Sequence, residues 1–231
     1  RQQNIELQKK SAIIIKKEQT ISLQRMLLIV AVTAIAIIST FVYVTLRLAR
    51  LQKMVNNELN RLNEQLYELA TTDSLTQLFN RRHFFESSQR QLSQLQRMAD
   101  DGAILMIDID DFKKINDEFG HALGDQAIAK IASILKGNLR EYDFVGRVGG
   151  EEFAMLLSQC AFNTANKIAE RLRKKIAELS IPHPQGAIKL TISIGLTMIS
   201  KDDKEIEKVL QRADVFLYKA KAKGKNRVVS S

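Results

Sequence analysis

Two groups of carboxylates carry the chemistry open to this chain. Asp108 lies near the end of the apolar run Ala103–Ile109, and Asp110 and Asp111 follow at once. Further on, Glu151 and Glu152 follow Gly149 and Gly150, between the runs Phe144–Val148 and Phe153–Leu157. Folding alone gives little reason for acids at a strand end and at a neighbouring hairpin tip. They suit an oxygen-seeking divalent cation such as Mg2+, or a proton to be moved. A single Asp is ordinarily a solvated loop acid; the pair Asp108 and Glu151 is what argues for a metal. Asp110 shares a face with Asp108 if the strand continues. Lys113 stands where a fixed cation would neutralise charge on phosphoryl oxygens. Asn116, His121 and Asp125 lie in a polar, glycine-containing run, Ile115–Asp125, whose donors and acceptors suit the edge of a purine. Gly124-Asp125 is equally an ordinary helix start, with Asp125 as its N-cap.

These residues need a scaffold. Apolar periodicity predicts helices over about 80–99, 123–138, 162–179 and 205–222, and strands over about 103–109 and 188–198. Gly149-Gly150 between two strand-like runs predicts a tight hairpin whose turn takes positive φ. Strands interleaved with helices around one hairpin predict a mixed α/β (α+β) domain, a βαββαβ sheet with packed helices. The domain is expected over 73–231, with Thr71, Thr72 and Asp73 capping a new helix.

The upstream part is different in kind. Met26–Leu46 holds no charged residue and is bracketed by Arg25 and Arg47. A helix of that length spans roughly 30 Å, so 26–46 is expected to cross a membrane once; a buried core helix is the alternative. Residues 1–25 read as a juxtamembrane helical segment. Leu48, Leu51, Val55, Leu59, Leu62, Leu66 and Leu69 recur at steps averaging 3.5 residues, so 47–72 reads as a coiled-coil seam with one extra four-residue step. A parallel homodimer covers such a stripe; a lone amphipathic helix on its own domain is the alternative. Basic residues on both sides of the apolar run leave orientation open. They also account for the net charge of +9 through anionic lipid rather than a nucleic-acid polymer. One cysteine, Cys160, excludes an intrachain disulfide. A chain opening on Arg1 is expected to continue upstream, with a sensor ahead of the span.

The motifs together resemble the GGDEF family of diguanylate cyclases. The matching blocks are Asp73-Ser74-Leu75-Thr76 with Asn80-Arg81-Arg82, then Asp108 through Asp117, then Gly120-His121 with Gly124-Asp125. Arg147 through Phe153, Ser193-Ile194-Gly195, and Ala213-Asp214 with Tyr218 through Arg227 complete the set. The motif's third letter is Glu here, a common functional variant. The resemblance implies condensation of two GTP into cyclic di-GMP with release of pyrophosphate. It assigns Mg2+ (or Mn2+) to Asp108, the Ile109 carbonyl and Glu151, and makes Glu151 the base for the GTP 3′-hydroxyl. Lys113 would stabilise phosphoryl charge; Asn116 and Asp125 would read guanine, with His121 lining that site. Gly149 and Gly150 would admit the nucleotide to the backbone, and Lys221 would contact phosphate. Lys225 replaces an arginine frequent in the family and loses its bidentate fork. Arg140-Glu141-Tyr142-Asp143 matches the family's R-x-x-D inhibitory product site, which Arg171 would join. A GTP-consuming domain implies a bacterial inner membrane protein whose C-terminal domain is cytoplasmic. A GGDEF-like receptor without catalysis is the rival, but degenerate members lose the acids that this chain keeps.

Overall fold

The computed structural model describes residues 2–184 and 186–230. The chain forms two compact units, one ending at Glu64 and the other running Gln65–Ser231. The first consists of most of α1 (Gln2–Thr71), a single unbroken helix. One stretch of α1 is long and apolar enough to cross a membrane. Every seam residue from Leu48 to Leu69 is between 43% and 76% exposed, so this chain alone does not bury the stripe.

The second unit takes in the last turns of α1, and its first interactions tie them down. Thr71 is buried. The Asn80 backbone N–H donates to the Thr71 carbonyl at 2.8 Å, and Asn80 Nδ2 donates to the Ala70 carbonyl at 2.8 Å. The ring of Tyr67 meets His83 edge-on, 5.9 Å between centroids. Thr71 and Asp73 do not cap the next helix. Asn80 does, its Oδ1 accepting from the His83 N–H at the start of α2 (Arg81–Met98). Asp73 closes a turn instead, accepting from the N–H and hydroxyl of Thr76.

Then follow β1 (Gly102–Ile109), α3 (Phe112–Phe119), α4 (His121–Lys136), β2 (Phe144–Arg147), β3 (Glu152–Ser158) and α5 (Phe162–Ala177). The chain continues through β4 (Ser180–Ile181), β5 (Ile188–Lys189), β6 (Ile192–Met198), α6 (Ile206–Ala222) and β7 (Val228–Ser230). Five strands form one sheet in the order β2-β3-β1-β6-β7, with β6 and β7 parallel and the other pairs antiparallel. β4 and β5 make a separate small ribbon.

β1 is central and every residue in it is buried. Its alternation splits the core. Ala103, Leu105, Ile107 and Ile109 pack with residues of α3, α4 and α5, while Ile104 and Met106 pack with residues of α2 and α6. The sheet is therefore covered on both faces. At the α6 face the approach is at backbone contact: a Cβ on Gly195 of β6 would collide with the Ala213 carbonyl and the Leu217 N–H.

Four sequence expectations differ in detail. The run 188–198 is two strands, because at Thr191 the backbone carbonyl and the hydroxyl both turn to Asp110. α3 is a helix of its own, joined to α4 by Gly120 alone at φ 82°. α4 begins at His121, so Asp125 lies one turn inside the helix and is not its N-cap. Gly149 and Gly150 do not take positive φ; non-glycine residues Asp111, Lys225 and Asn226 do.

Candidate active site

Asp108 points to the α6 face, opposite Glu152 and Ser193 in register. Its side chain is almost fully buried, and Lys221, in the last turn of α6, places Nζ 2.7 Å from Oδ2. Burial pushes the Asp108 carboxyl up to about 6; Lys221 pulls against that shift, and the charges of Glu151 and Glu152 add to it. The strand-end acid and the hairpin acids thus share one electrostatic neighbourhood. The backbone joins them too: the Ile109 N–H donates to the Glu151 carbonyl at 3.4 Å.

The four residues between β2 and β3 are held from within. Arg147 donates from Nε and Nη2 to the Gly150 carbonyl, at 3.0 and 2.7 Å, and from Nη1 to both oxygens of Asp73. Burial raises the Asp73 carboxyl, but Thr76 and Arg147 outweigh it and hold that group below the usual carboxylate range. The glycines have different reasons. A Cβ on Gly149 would strike the Glu152 carboxylate, whereas one on Gly150 would meet open space.

Asp110, outside the expected metal set, is occupied by the fold. Oδ1 accepts from the Ser193 hydroxyl at 2.6 Å; Oδ2 accepts from the Thr191 hydroxyl at 2.7 Å and the Asn226 N–H at 2.9 Å. The strand ends at Ile109, so the shared face expected for Asp108 and Asp110 does not form. Asp111, at φ 56°, is bridged by Lys225 at 2.8 Å and Lys114 at 3.1 Å, which hold it below the usual range. Lys221 and Lys225 therefore reach from the end of α6 to two acids at the end of β1. Lys113 is exposed in the first turn of α3.

The α3–α4 junction gathers the base-reading candidates. The buried Oδ1 of Asn116 has no hydrogen-bond partner among the described residues. It lies so close to Gly124 that a Cβ there would overlap it. A buried acceptor left unpaired costs roughly 1–3 kcal/mol, a cost that a ligand N–H would offset. His121 and Asp125 are exposed on the same face of α4, one turn apart.

At the R-x-x-D turn, Asp143 is buried, with Oδ2 accepting from the Arg140 N–H and Oδ1 from the Ser158 N–H. Its first task is to tie the turn to the end of β3. Arg140 and Arg171, the latter on α5, are exposed.

Among the described residues, no group of three or more Asp, Glu, His or Cys side chains could hold a metal. The expected donors are fewer: two carboxylates, Asp108 and Glu151, and the Ile109 carbonyl. That hard-oxygen set fits Mg2+, which keeps water or phosphate in its remaining positions. The buried Asp108 carboxylate, met among the described residues by Lys221, fits a cation as well.

Residues 70–227 match the family model described as "Diguanylate cyclase, GGDEF domain". The chain is 40% identical over 172 residues to diguanylate cyclase A of Treponema denticola, an alignment covering 73% of this chain and 46% of that protein. It thus spans about half the length of that relative. Among solved structures, the coiled coil and GGDEF domain of DgcB from Caulobacter crescentus, in complex with c-di-GMP, superposes with TM-score 0.74 at 30% identity. That match covers 80% of this chain and 97% of DgcB's. An active GGEEF domain of a diguanylate cyclase from Vibrio cholerae matches with TM-score 0.62 at 33% identity, covering 65% of this chain and 96% of the other. The chain belongs to the GGDEF family of diguanylate cyclases.

Arg147 and Asp110 are the residues that sequence reasoning left without a role. Both stand inside matched blocks, but their partners are far off in the chain: Asp73 for Arg147, and Thr191, Ser193 and Asn226 for Asp110.

Proposed function

We propose that this chain is a membrane-anchored diguanylate cyclase that condenses two GTP into cyclic di-GMP, with Mg2+ as cofactor, as a homodimer whose catalytic units lie on the cytoplasmic side. The observation that carries the reading is the pairing of buried Asp108 with the hairpin acid Glu151 at the end of β1, under Lys221. Asp108, Glu151 and the Ile109 carbonyl would hold Mg2+, which when bound supplies positive charge against the phosphates. Asn116, with its unpartnered acceptor, reads the guanine N–H edge together with Asp125, and His121 lines that site. Lys113, Lys221 and Lys225 meet phosphate oxygens, beside the hairpin of Gly149 and Gly150.

In each half of the reaction the 3′-hydroxyl of one GTP attacks the α-phosphorus of the other. Its proton passes to the Glu151 carboxylate, and pyrophosphate departs with the electrons of the broken P–O bond. Two such steps close the ring. One unit holds one GTP, so two units must face each other, and proximity supplies much of the rate. The exposed seam on α1 supports the dimer, and its apolar stretch supports the anchor.

The test is direct. Purified, product-free dimer with GTP and Mg2+ yields cyclic di-GMP and two pyrophosphates; GTP binding without product would sink the assignment. Glu151→Ala is expected to lower turnover at least 100-fold while GTP still binds, the scale of losing a general base. Arg140 and Arg171 form an inhibitory product site in this reading. Arg140→Ala should raise the cyclic di-GMP concentration needed for half-inhibition about tenfold or more, the effect of losing a charged hydrogen bond. Unchanged inhibition would remove the site from the account.

A further inference from the structure

Lys225 stands in backbone that L residues avoid. Gly224, Lys225 and Asn226 take φ of 106°, 60° and 46° in succession. Such a run persists only where its surroundings over-determine it. Three ties come from α6 and the sheet. The Lys225 N–H donates to the Ala220 carbonyl at 3.1 Å, the Asn226 N–H donates to Asp110 Oδ2 at 2.9 Å, and the Arg227 carbonyl accepts from the Ile194 N–H at 2.9 Å. A fourth comes from α5. Arg173 Nη1 donates to Asn226 Oδ1 at 2.8 Å, while Glu170, one turn back, accepts from Arg173 Nε at 2.9 Å and aims the guanidinium. The Arg173 side chain is only 18% exposed, so it is a packed strut and not a surface limb. Neither Arg173 nor the Asn226 side chain has a part in metal binding, base reading or the R-x-x-D site.

We infer that Arg173 is a positioning residue for the cyclase reaction: through Asn226 it holds the left-handed loop that presents Lys225 to substrate phosphate. The inference rests on the reading of Lys225 as a phosphate contact. A lysine ammonium on a four-carbon stem finds a phosphate only as well as its backbone is placed. Loosening the loop makes each binding event bear the ordering cost, so the effect falls on substrate affinity and spares chemistry.

The experiment measures KM and kcat for GTP on the full-length dimeric chain, freed of product. Arg173→Ala and Asn226→Ala are each expected to raise KM about fivefold to tenfold, the scale of one charge-assisted hydrogen bond, with kcat within about twofold of the parent. Arg173→Lys, which can still donate to Asn226 Oδ1, should recover most of that loss. Lys225→Ala should raise KM at least as far, and adding Arg173→Ala to it should change nothing more. If Lys225→Ala raises KM but Arg173→Ala and Asn226→Ala do not, the inference fails and the phosphate contact stands. Should Lys225→Ala leave KM unchanged, the phosphate contact fails and this route falls with it, whatever Arg173→Ala does. Multiplying effects in the double variant, or a loss confined to kcat, would also overturn the inference. Where Arg173→Ala does not fold, Asn226→Ala decides together with Asn226→Gly. Both remove the acceptor and keep the backbone tie to Asp110, and glycine takes the positive φ without strain. Only a KM rise shared by both supports the inference, and its absence in either overturns it.

Discussion

Asp108 is a carboxylate that the fold holds against its ionisation. In an unfolded chain it titrates near 3.9, and in this site near 6, so the folded protein keeps the proton more tightly. The sign follows from linkage. Below about pH 4 both states are protonated and no penalty exists; as pH rises from there through 6, ionisation takes stability away, up to roughly 3 kcal/mol. Asp108→Asn, measured without metal, should therefore unfold at a higher temperature than the parent at pH 8, with the gap closing toward pH 4, and should make no product. Equal midpoints at pH 8 would show that Lys221 already neutralises the site. The sequence picks out Asp108 and Glu151 because nothing structural explains acids at those places, and the fold brings the two together at the end of β1. The role of Asp110 was not legible: the groups that consume it stand 81 to 116 residues further on, and no local pattern announces them. Apart from Gly224, glycine did not mark the left-handed backbone around the site, since Asp111 is held in it by two lysines, and Lys225 and Asn226 by ties to Ala220, Asp110 and Arg173.

Among the elements, helix α6 sits so near β6 that Gly195 leaves no room for a methyl group. Gly195→Ala is expected to destabilise the domain by about 3 kcal/mol, at the upper end for overpacking, because the obstacle is backbone that cannot rotate away. Denaturant unfolding would measure it, and a change under about 1 kcal/mol would mean that α6 slides on the sheet. The hairpin gives the contrast. Gly150→Ala meets open space and should fold as the parent does, whereas Gly149→Ala drives the Glu152 carboxylate aside and should lower turnover more than stability. Long elements were legible by period. Those missed were short or polar: eight-residue α3, whose apolar face is Phe112, Ile115 and Phe119, and three-residue β7, which depends on its parallel partner β6. The α2 cap was misplaced because Thr71, Asp73 and Asn80 all have capping chemistry, and only the tertiary ties to Ala70 and Thr71 pick out Asn80.

At the scale of the whole molecule, the proposed scheme of one GTP per chain makes turnover depend on how chains meet. Leu59→Glu with Leu62→Glu puts charges on the exposed seam of α1, outside the catalytic unit. Sedimentation should show monomer, and specific activity at low enzyme concentration should fall at least tenfold and recover as concentration rises. The melting midpoint of the catalytic unit should stay within about 2 °C, since neither leucine is buried by this chain. Full activity from a demonstrated monomer would refute the two-half-site scheme. The seam was legible as a repeat; where the helix stops serving as a linker was not, because α1 runs unbroken to Thr71. Its last turns belong to the enzyme. Asn80 takes both its backbone and its side-chain acceptor from Thr71 and Ala70, and Tyr67 lies against His83. The seam between modules in this architecture therefore falls ahead of Gln65, not at the first recognisable motif. A fragment cut at Asp73 would leave the start of α2 with its bonds unmade, and a new input domain grafted there would be joined to a damaged enzyme.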